Sequence, residues 1–525
     1  MQAVLTACLS EAPAAARIGA VEAALRDGGP PLRREIGRWI VLGVPVEQIV
    51  PDIYSEWRPL VHDSIQFVLA ELSTARLATK LMQQMDLPLD TPPAPRLLHL
   101  MSQMPGIQKV GQVLARHRHL SAELRTALSG LENGMKDAVP ESIHAIVTKE
   151  LGSRLSQYDV QMEPGIFAEA SVSAVVRFSW RNPRSKARER GVFKVRKPDV
   201  PRLFAEDLNL LQKLSAWIGQ NQSYGFATRH VAEMVSEVRL LLEHELDFVR
   251  EQRTLADARK TYRLRFGVRV PRLIAPLCTP EITAMSQEDG VKVTEAFAGD
   301  RRRRRLVAEQ LIEALVSVPL LSRDEEAIFH ADPHAGNLLY DERRSEVVIL
   351  DWALTERLDR ELRRHLALLV IMTMLRNPAG VSEAIGNLSA MSVKADPERS
   401  RLIAEHVGRF FDSLPGDHHP GSLDAMILLD RIALEGVRFP SALAMFQKAL
   451  FTLDDVAFDI AGTKVSISFI LARDFVAHMM ASFGLDHPPL SVKDLIALPK
   501  SALLYPARWG ASALLGARAV KTSEP

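Results

Sequence analysis

Between residues 330 and 351 the chain sets out His330, Asp332, His334, Asn337 and Asp351, types and spacings that suit the gripping of a divalent cation against phosphates. Asp332 stands five positions before Asn337. Residues 337–340 and 346–350 read as two short strands joined by the polar turn 341–345. An antiparallel hairpin of that register returns Asn337 beside Leu350 and Asp351, with Asp332 on the loop just upstream. Hard oxygen donors in that number suit Mg²⁺ shared with a nucleotide's phosphates. The plainer alternatives are a turn cap at Asp332 before Pro333 and an ordinary loop amide at Asn337. The alternation of His330, Asp332 and His334 also admits zinc, but no further His or Cys with ligand spacing stands nearby.

Asp-x4-Asn followed by a strand that ends in an acid is the order of a kinase catalytic loop, which needs a lysine on an upstream strand and a glutamate on a helix to pair with it. Lys194 lies in the apolar run of residues 191–195, and Val192, Phe193 and Val195 around it argue for burial on both faces. Residues 230–262 carry helical periodicity, with Val231, Met234, Val235, Val238, Leu241, Leu242 and Val249 in one stripe. Glu245 falls within that stripe, whereas Glu243 and Asp247 project to the opposite side. A carboxylate on a buried helix face is costly unless it is paired with a cation, and Lys194 is the expected partner.

With these features in order, the chain resembles the UbiB/AarF family of atypical kinase-like proteins linked to quinone and isoprenoid-lipid metabolism. The resemblance covers roughly residues 96–480 and adds a Lys-x-Gly-Gln motif, Lys109 to Gln112, and a Glu-x-Asp motif, Glu245 to Asp247. It implies an α+β, bilobal protein-kinase-like fold with a small β-rich lobe, a large helical lobe and a helical N-terminal extension. It also implies ATP and Mg²⁺ as cofactors. Lys194 is then the phosphate-holding and catalytic lysine, Asp332 the catalytic acid that orients or deprotonates the nucleophile, and Asn337 and Asp351 the metal ligands. Lys109 and Gln112 are expected to regulate, by covering the place where a protein substrate would enter.

Further nucleotide contacts are expected from Ala168, Ala170 and Ser171 in an alanine-rich loop, and from Ser286 and Glu288 in the link 286–290. Two positions depart from the family pattern: Ala174 stands where glutamine is usual, and Trp352 and Ala353 follow Asp351 where Phe-Gly is usual. An alanine there tolerates fewer backbone conformations than glycine, so the segment is expected to hold one state. The reading is an ATPase or a lipid or small-molecule kinase. The alternatives are a non-catalytic nucleotide-sensing scaffold that organises lipid-biosynthesis enzymes, and a small-molecule phosphotransferase of the aminoglycoside or choline kinase sort.

The domains expected are a helical N-terminal region (1–95), the extension with the Lys-x-Gly-Gln motif (96–150), a small lobe (151–292), a large lobe (293–480) and a basic tail (481–525). Net charge is +1, from 65 basic and 64 acidic residues, so no global field points to nucleic acid. The run of five arginines at 301–305 reads as the solvated start of an amphipathic helix. Only Cys8 and Cys278 occur, which fits a reducing compartment. Residues 1–15 lack a basic start and read as a helix, and no window is long and apolar enough to span a bilayer. The expected location is cytoplasmic or peripheral at the inner membrane face. Residues 495–523 hold no acid and interleave Lys500, Arg508, Arg518 and Lys521 with Tyr505, Trp509, Leu514 and Leu515. Such a segment suits an anionic membrane surface or isoprenoid lipid as partner, against a packed or frayed C-terminal helix.

Overall fold

The computed structural model describes residues 2–482 except 11, 45, 51, 53–54, 56–57, 89, 102–103, 105, 108–137, 171, 222–238, 240–242, 245, 264, 266, 390–395 and 416–417. Expected site residues Lys109, Gln112, Ser171 and Glu245, and the basic tail, therefore lie outside the described residues. The chain forms two compact units, one of Met1–Arg250 with Leu273–Gln287, the other of Glu251–Arg272 with Glu288–Pro525. This differs from the expected partition: the N-terminal region joins the first unit, and residues 251–272 join the second. In chain order the strands are β1 (Gln161–Met162), β2 (Ala168–Glu169), β3 (Ser173–Arg181), β4 (Arg188–Arg196), β5 (Val268–Arg269), β6 (Ile282–Ser286), β7 (Val291–Lys292), β8 (Glu326–His330), β9 (Leu338–Asp341), β10 (Glu346–Ile349) and β11 (Thr355–Asp359).

The first unit opens with helices Gln2–Cys8, Ala14–Leu42, Arg58–Glu71, Thr74–Met85 and Pro93–Met101 around a core that includes Val21, Leu25, Ile36, Leu72, Leu77 and Leu81. The second of these kinks where the sequence predicts a break: Gly29 takes φ +57°, and Pro30 and Pro31 have no N–H to give to the preceding turn. Asp207, fully buried on the helix Val200–Gln220, ties this bundle to the chain beyond it. Arg76 lies 2.7 Å from one carboxylate oxygen, and the other accepts the Gly106 N–H at 2.8 Å.

The sheet of this unit runs β1-β3-β4-β6, with β2 also on β3, all antiparallel. Alternation sorts its two faces. Ala174, Val176, Phe178, Phe193, Val195, Ile282 and Ala284 enter one core, under Ile143, Val147 and Leu151 of the helix Pro140–Leu151. Phe178 stacks on Phe193 with centroids 3.8 Å apart, and Gly191 opposite Phe178 has to be glycine, since a Cβ there would lie 2.5 Å from the Phe178 ring.

In the second unit, β10 is central, with β5 parallel on one side and β9 antiparallel on the other, and β7 beyond β9; β8 and β11 form a separate antiparallel pair. Helices Arg301–Ile312, Arg360–Met374, Pro378–Leu388, Pro397–Ser413, Ser422–Leu434, Ser441–Ala461 and Ile467–Ser482 build the rest. The arginine run does open a helix, capped by the Asp300 carboxylate, which accepts the Arg303 N–H at 3.0 Å. Among the described residues, no helix is long and apolar enough to cross a membrane. The architecture is the expected α+β, kinase-like class.

Candidate metal and phosphate site

The β9–β10 hairpin forms in the expected register, with Leu338 opposite Ile349 and Asp341 opposite Glu346. The polar turn closes because Asp341 accepts the N–H groups of Arg343 and Arg344, and Ser345 turns back at φ +56°. Asn337 sits one residue before β9, in a short 3-10 turn, and its carbonyl accepts the Leu350 N–H at 2.9 Å. At the other end of the same stretch the Leu354 carbonyl accepts the Ala331 N–H at 3.0 Å, and Thr355 pairs with His330. Asp351 is thus bracketed between Asn337 and the His330–Ala331 strand end.

The loop that carries Asp332 is wired to itself. The Asp332 N–H donates to His330 Nδ1 at 3.1 Å, and its carbonyl accepts the His334 N–H at 2.8 Å. Asn337 Nδ2 also donates to that carbonyl, at 3.4 Å. With Nδ2 engaged by the loop, Oδ1 is not the atom used in this bond. Asp351 Oδ1 accepts the Ala353 N–H at 3.0 Å, which fixes the rotamer of that carboxylate.

His330 is fully buried, and burial, helped by His334, pushes its pKa down to about 4 against the opposing pull of Asp332 and Asp351. It is neutral near pH 7, and since Nδ1 accepts from Asp332, its proton is on Nε2. This histidine holds a backbone in place. Among the described residues no group of three or more His, Cys, Asp or Glu side chains is arranged to hold a metal. Magnesium makes a different demand: one or two carboxylates, with waters and phosphate oxygens completing the shell. Two acids and an amide oxygen fit it.

Trp352 is fully buried, its indole N–H donating to the Ile349 carbonyl at 3.1 Å. It meets His330 edge-on at 5.2 Å and Tyr262 at 5.8 Å between ring centroids, and Thr254 Oγ1 donates to its carbonyl at 2.8 Å. Ala353 keeps a negative φ, so glycine is not needed there. The acid is held by a packed aromatic anchor.

One expected site residue in this second unit, Glu288, belongs to an ion cluster: Arg269 meets Glu288 at 2.9 Å, Asp341 at 2.9 Å and Glu346 at 3.0 Å. Of these only Glu288 had been assigned to the nucleotide, and its carboxylate faces a guanidinium.

In the first unit, Lys194 lies on the sheet face opposite the main core, between Val175 and Thr283, and is buried with its Nζ 5.7 Å from the centroid of the Phe248 ring. The alanine-rich loop is a tight hairpin: Ala168 pairs with Val175, and the Ala170 N–H donates to the Ser173 carbonyl at 2.8 Å. Ala174 is wholly buried, so its side chain faces the core and not the loop. Ser286 ends β6 opposite Gly191.

Sequence reasoning missed two contacts. Glu169 forms a buried ion pair with Lys197 at 2.6 Å and accepts the Ala138 N–H at 3.0 Å. Lys448, on the helix Ser441–Ala461, places Nζ 3.8 Å from Asp332 Oδ1. A buried Glu flanked by alanines is a signal for the first; the second is too distant in sequence to announce itself.

Residues 130–385 match the ABC1 atypical kinase-like domain. The chain is 25% identical over 362 residues to the chloroplastic protein Activity of BC1 Complex Kinase 7 of Arabidopsis thaliana, covering 67% of this chain and 50% of that one. It is 25% identical over 265 residues to the probable protein kinase UbiB of Actinobacillus pleuropneumoniae serotype 5b, covering 49% of this chain and 48% of the relative. The match thus spans about half the length of both relatives. A Mycobacterium tuberculosis protein solved in complex with erythromycin aligns at TM-score 0.42 and 16% identity, covering 69% of this chain and 94% of that one. Residues 130–385, just under half of the chain, match an ABC1 atypical kinase-like domain, and these relatives support its likeness to the UbiB/AarF family.

Proposed function

We propose that this protein binds Mg-ATP and transfers or hydrolyses its terminal phosphoryl group, as an ATPase or a lipid or small-molecule kinase in quinone or other isoprenoid-lipid metabolism. The observation that carries the reading is the hairpin-held set of Asp332, Asn337 and Asp351 in the second unit. Asn337 Oδ1 and the Asp351 carboxylate would hold the cation, which when bound neutralises charge on the phosphates. Asp332 orients the attacking hydroxyl or water and accepts its proton. Lys194 is assigned to the α/β-phosphates, with Glu245 orienting it, by the family resemblance. Lys109 and Gln112 restrain transfer to protein substrates on the same ground.

The test is nucleotide hydrolysis with and without lipid, for wild type and Asp332→Asn. The reading expects a loss of about a hundredfold or more in turnover for the variant, in line with removal of a positioned base. A second reading, a nucleotide-sensing scaffold for lipid-biosynthesis enzymes, draws on the buried Ala174 where the family has a loop glutamine. Mg-ATP binding without any Asp332-dependent turnover would favour it. The anionic-membrane role of residues 495–523 is tested by liposome pelleting; equal pelleting of the full chain and a version ending at Asp494 rules it out.

A further inference from the structure

The helix Ser441–Ala461 lies beyond residues 130–385, which match the kinase-like domain. Three successive side chains fix its rotation. Phe446 meets Phe329 of β8 edge-on at 5.4 Å, Gln447 Nε2 donates to the Met426 carbonyl at 3.0 Å in a buried bond, and Lys448 projects to Asp332. Phe329 immediately precedes His330, whose ring holds the Asp332 backbone. The helix is thus registered against the strand that leads into the loop, and its lysine arrives at the loop's acid by construction.

Among the described residues, the charged and titratable groups near Asp332 include Lys448 at 3.8 Å from Oδ1, His334 Nε2 at 3.9 Å from Oδ2, the neutral His330 beneath the backbone, and Asp351 on the segment after β10. The Lys448 ammonium addresses Oδ1.

We propose that Lys448 is a positioning residue for Asp332: it holds Oδ1, directs Oδ2 to the attacking hydroxyl or water, and offsets the negative charge the carboxylate would otherwise present to the phosphoryl group. The inference rests on the reading of Asp332 as the nucleophile-orienting acid. An ammonium is a point charge on a flexible stem, so arginine, longer and also cationic, retains the charge at this site though with altered geometry.

The experiment uses the full-length chain as wild type, Lys448→Met, Lys448→Arg, Asp332→Asn and the Asp332→Asn/Lys448→Met double variant. Steady-state ATP hydrolysis gives kcat and KM, and calorimetry gives the Mg-ATP Kd. Lys448→Met is expected to lower kcat at least about tenfold while leaving Kd within about twofold, because the group acts on the nucleophile and not on the nucleotide. Lys448→Arg recovers most of kcat, and the double variant is no slower than Asp332→Asn alone. A readout independent of turnover is the ¹³C resonance of reductively methylated lysines, with Lys448 assigned by its disappearance in Lys448→Arg. That resonance moves in Asp332→Asn. Wild-type hydrolysis that survives Lys448→Met unchanged, or a Lys448 resonance indifferent to Asp332→Asn, overturns this inference alone. Absence of Asp332-dependent hydrolysis in the wild type overturns the proposed function and this inference with it.

Discussion

Asn337 accepts the Leu350 N–H at 2.9 Å through its backbone carbonyl, while its side-chain amide donates to the Asp332 carbonyl at 3.4 Å. One residue therefore couples the loop acid to the hairpin end that bears Asp351. The order of residues in sequence becomes a juxtaposition of oxygens because a four-residue strand pair folds back on itself.

The anchor beneath Asp351 gives a stability prediction. Trp352 is fully buried and packs on His330 and Tyr262, so Trp352→Ala removes a large ring and strands the Ile349 carbonyl. A loss of about 3–5 kcal/mol is expected in denaturant unfolding, as for other buried aromatic truncations. Trp352→Phe keeps most of the volume and loses less. An alanine variant as stable as wild type would show that the segment after β10 is not held by this ring.

His330 predicts an acid-side effect. Its folded pKa, lowered by burial to about 4, lies below the unfolded value near 6.5, so the unfolded chain binds the extra proton first as pH falls. The stability it contributes is present above pH 6.5 and is lost progressively as pH falls to about 4, amounting to about 3 kcal/mol. His330→Gln retains an acceptor for the Asp332 N–H but does not titrate. Urea unfolding between pH 7 and pH 4 should therefore be less pH-dependent for the variant, and parallel curves for the two proteins would refute the assignment.

Lys80 predicts a window of the same sign at alkaline pH. It is buried, with Nζ donating to Gln83 Oε1 at 3.1 Å and the His99 carbonyl at 3.2 Å. Burial, reinforced by Arg76 and opposed by Asp207, lowers its pKa to about 7. The unfolded lysine, near 10.4, holds a proton that the folded one releases, so stability rises with pH between 7 and about 10. The cost of the buried charge is fully present below pH 7, on the order of 5 kcal/mol before its hydrogen bonds offset part of it. Lys80→Met should be more stable than wild type at pH 7, with the gap closing by pH 10. A gap that is constant with pH would mean that Lys80 stays protonated throughout.

The β9–β10 hairpin was legible because its turn is polar and its strands are short apolar runs, both local properties. Lys194 was legible for a similar reason, since Phe193 and Val195 beside it predict a buried strand, and the lysine takes the opposite face between Val175 and Thr283. The Trp352–Ala353 departure was read as loss of a hinge; the structure supplies the other half, a ring that needs a core on every side. Lys448 and the Asp207–Gly106 bond were illegible because each joins residues distant along the chain, and no periodicity records which helix face meets which loop. Residues 251–272 were placed with the small lobe by chain order, yet Tyr262 donates to the Ala314 carbonyl and Arg269 to the β9–β10 cluster, so tertiary bonds assign them to the second unit.

The central claim is that Asn337 and Asp351 hold a magnesium nucleotide. Its most direct test is calorimetric titration of wild type, Asn337→Ala and Asp351→Ala with a non-hydrolysable ATP analogue, with magnesium and with the magnesium chelated. The account predicts magnesium-dependent binding to wild type and a loss of at least about tenfold in affinity for each variant, about 1.4 kcal/mol or more. Binding of equal strength with and without magnesium, or in all three proteins, would contradict it.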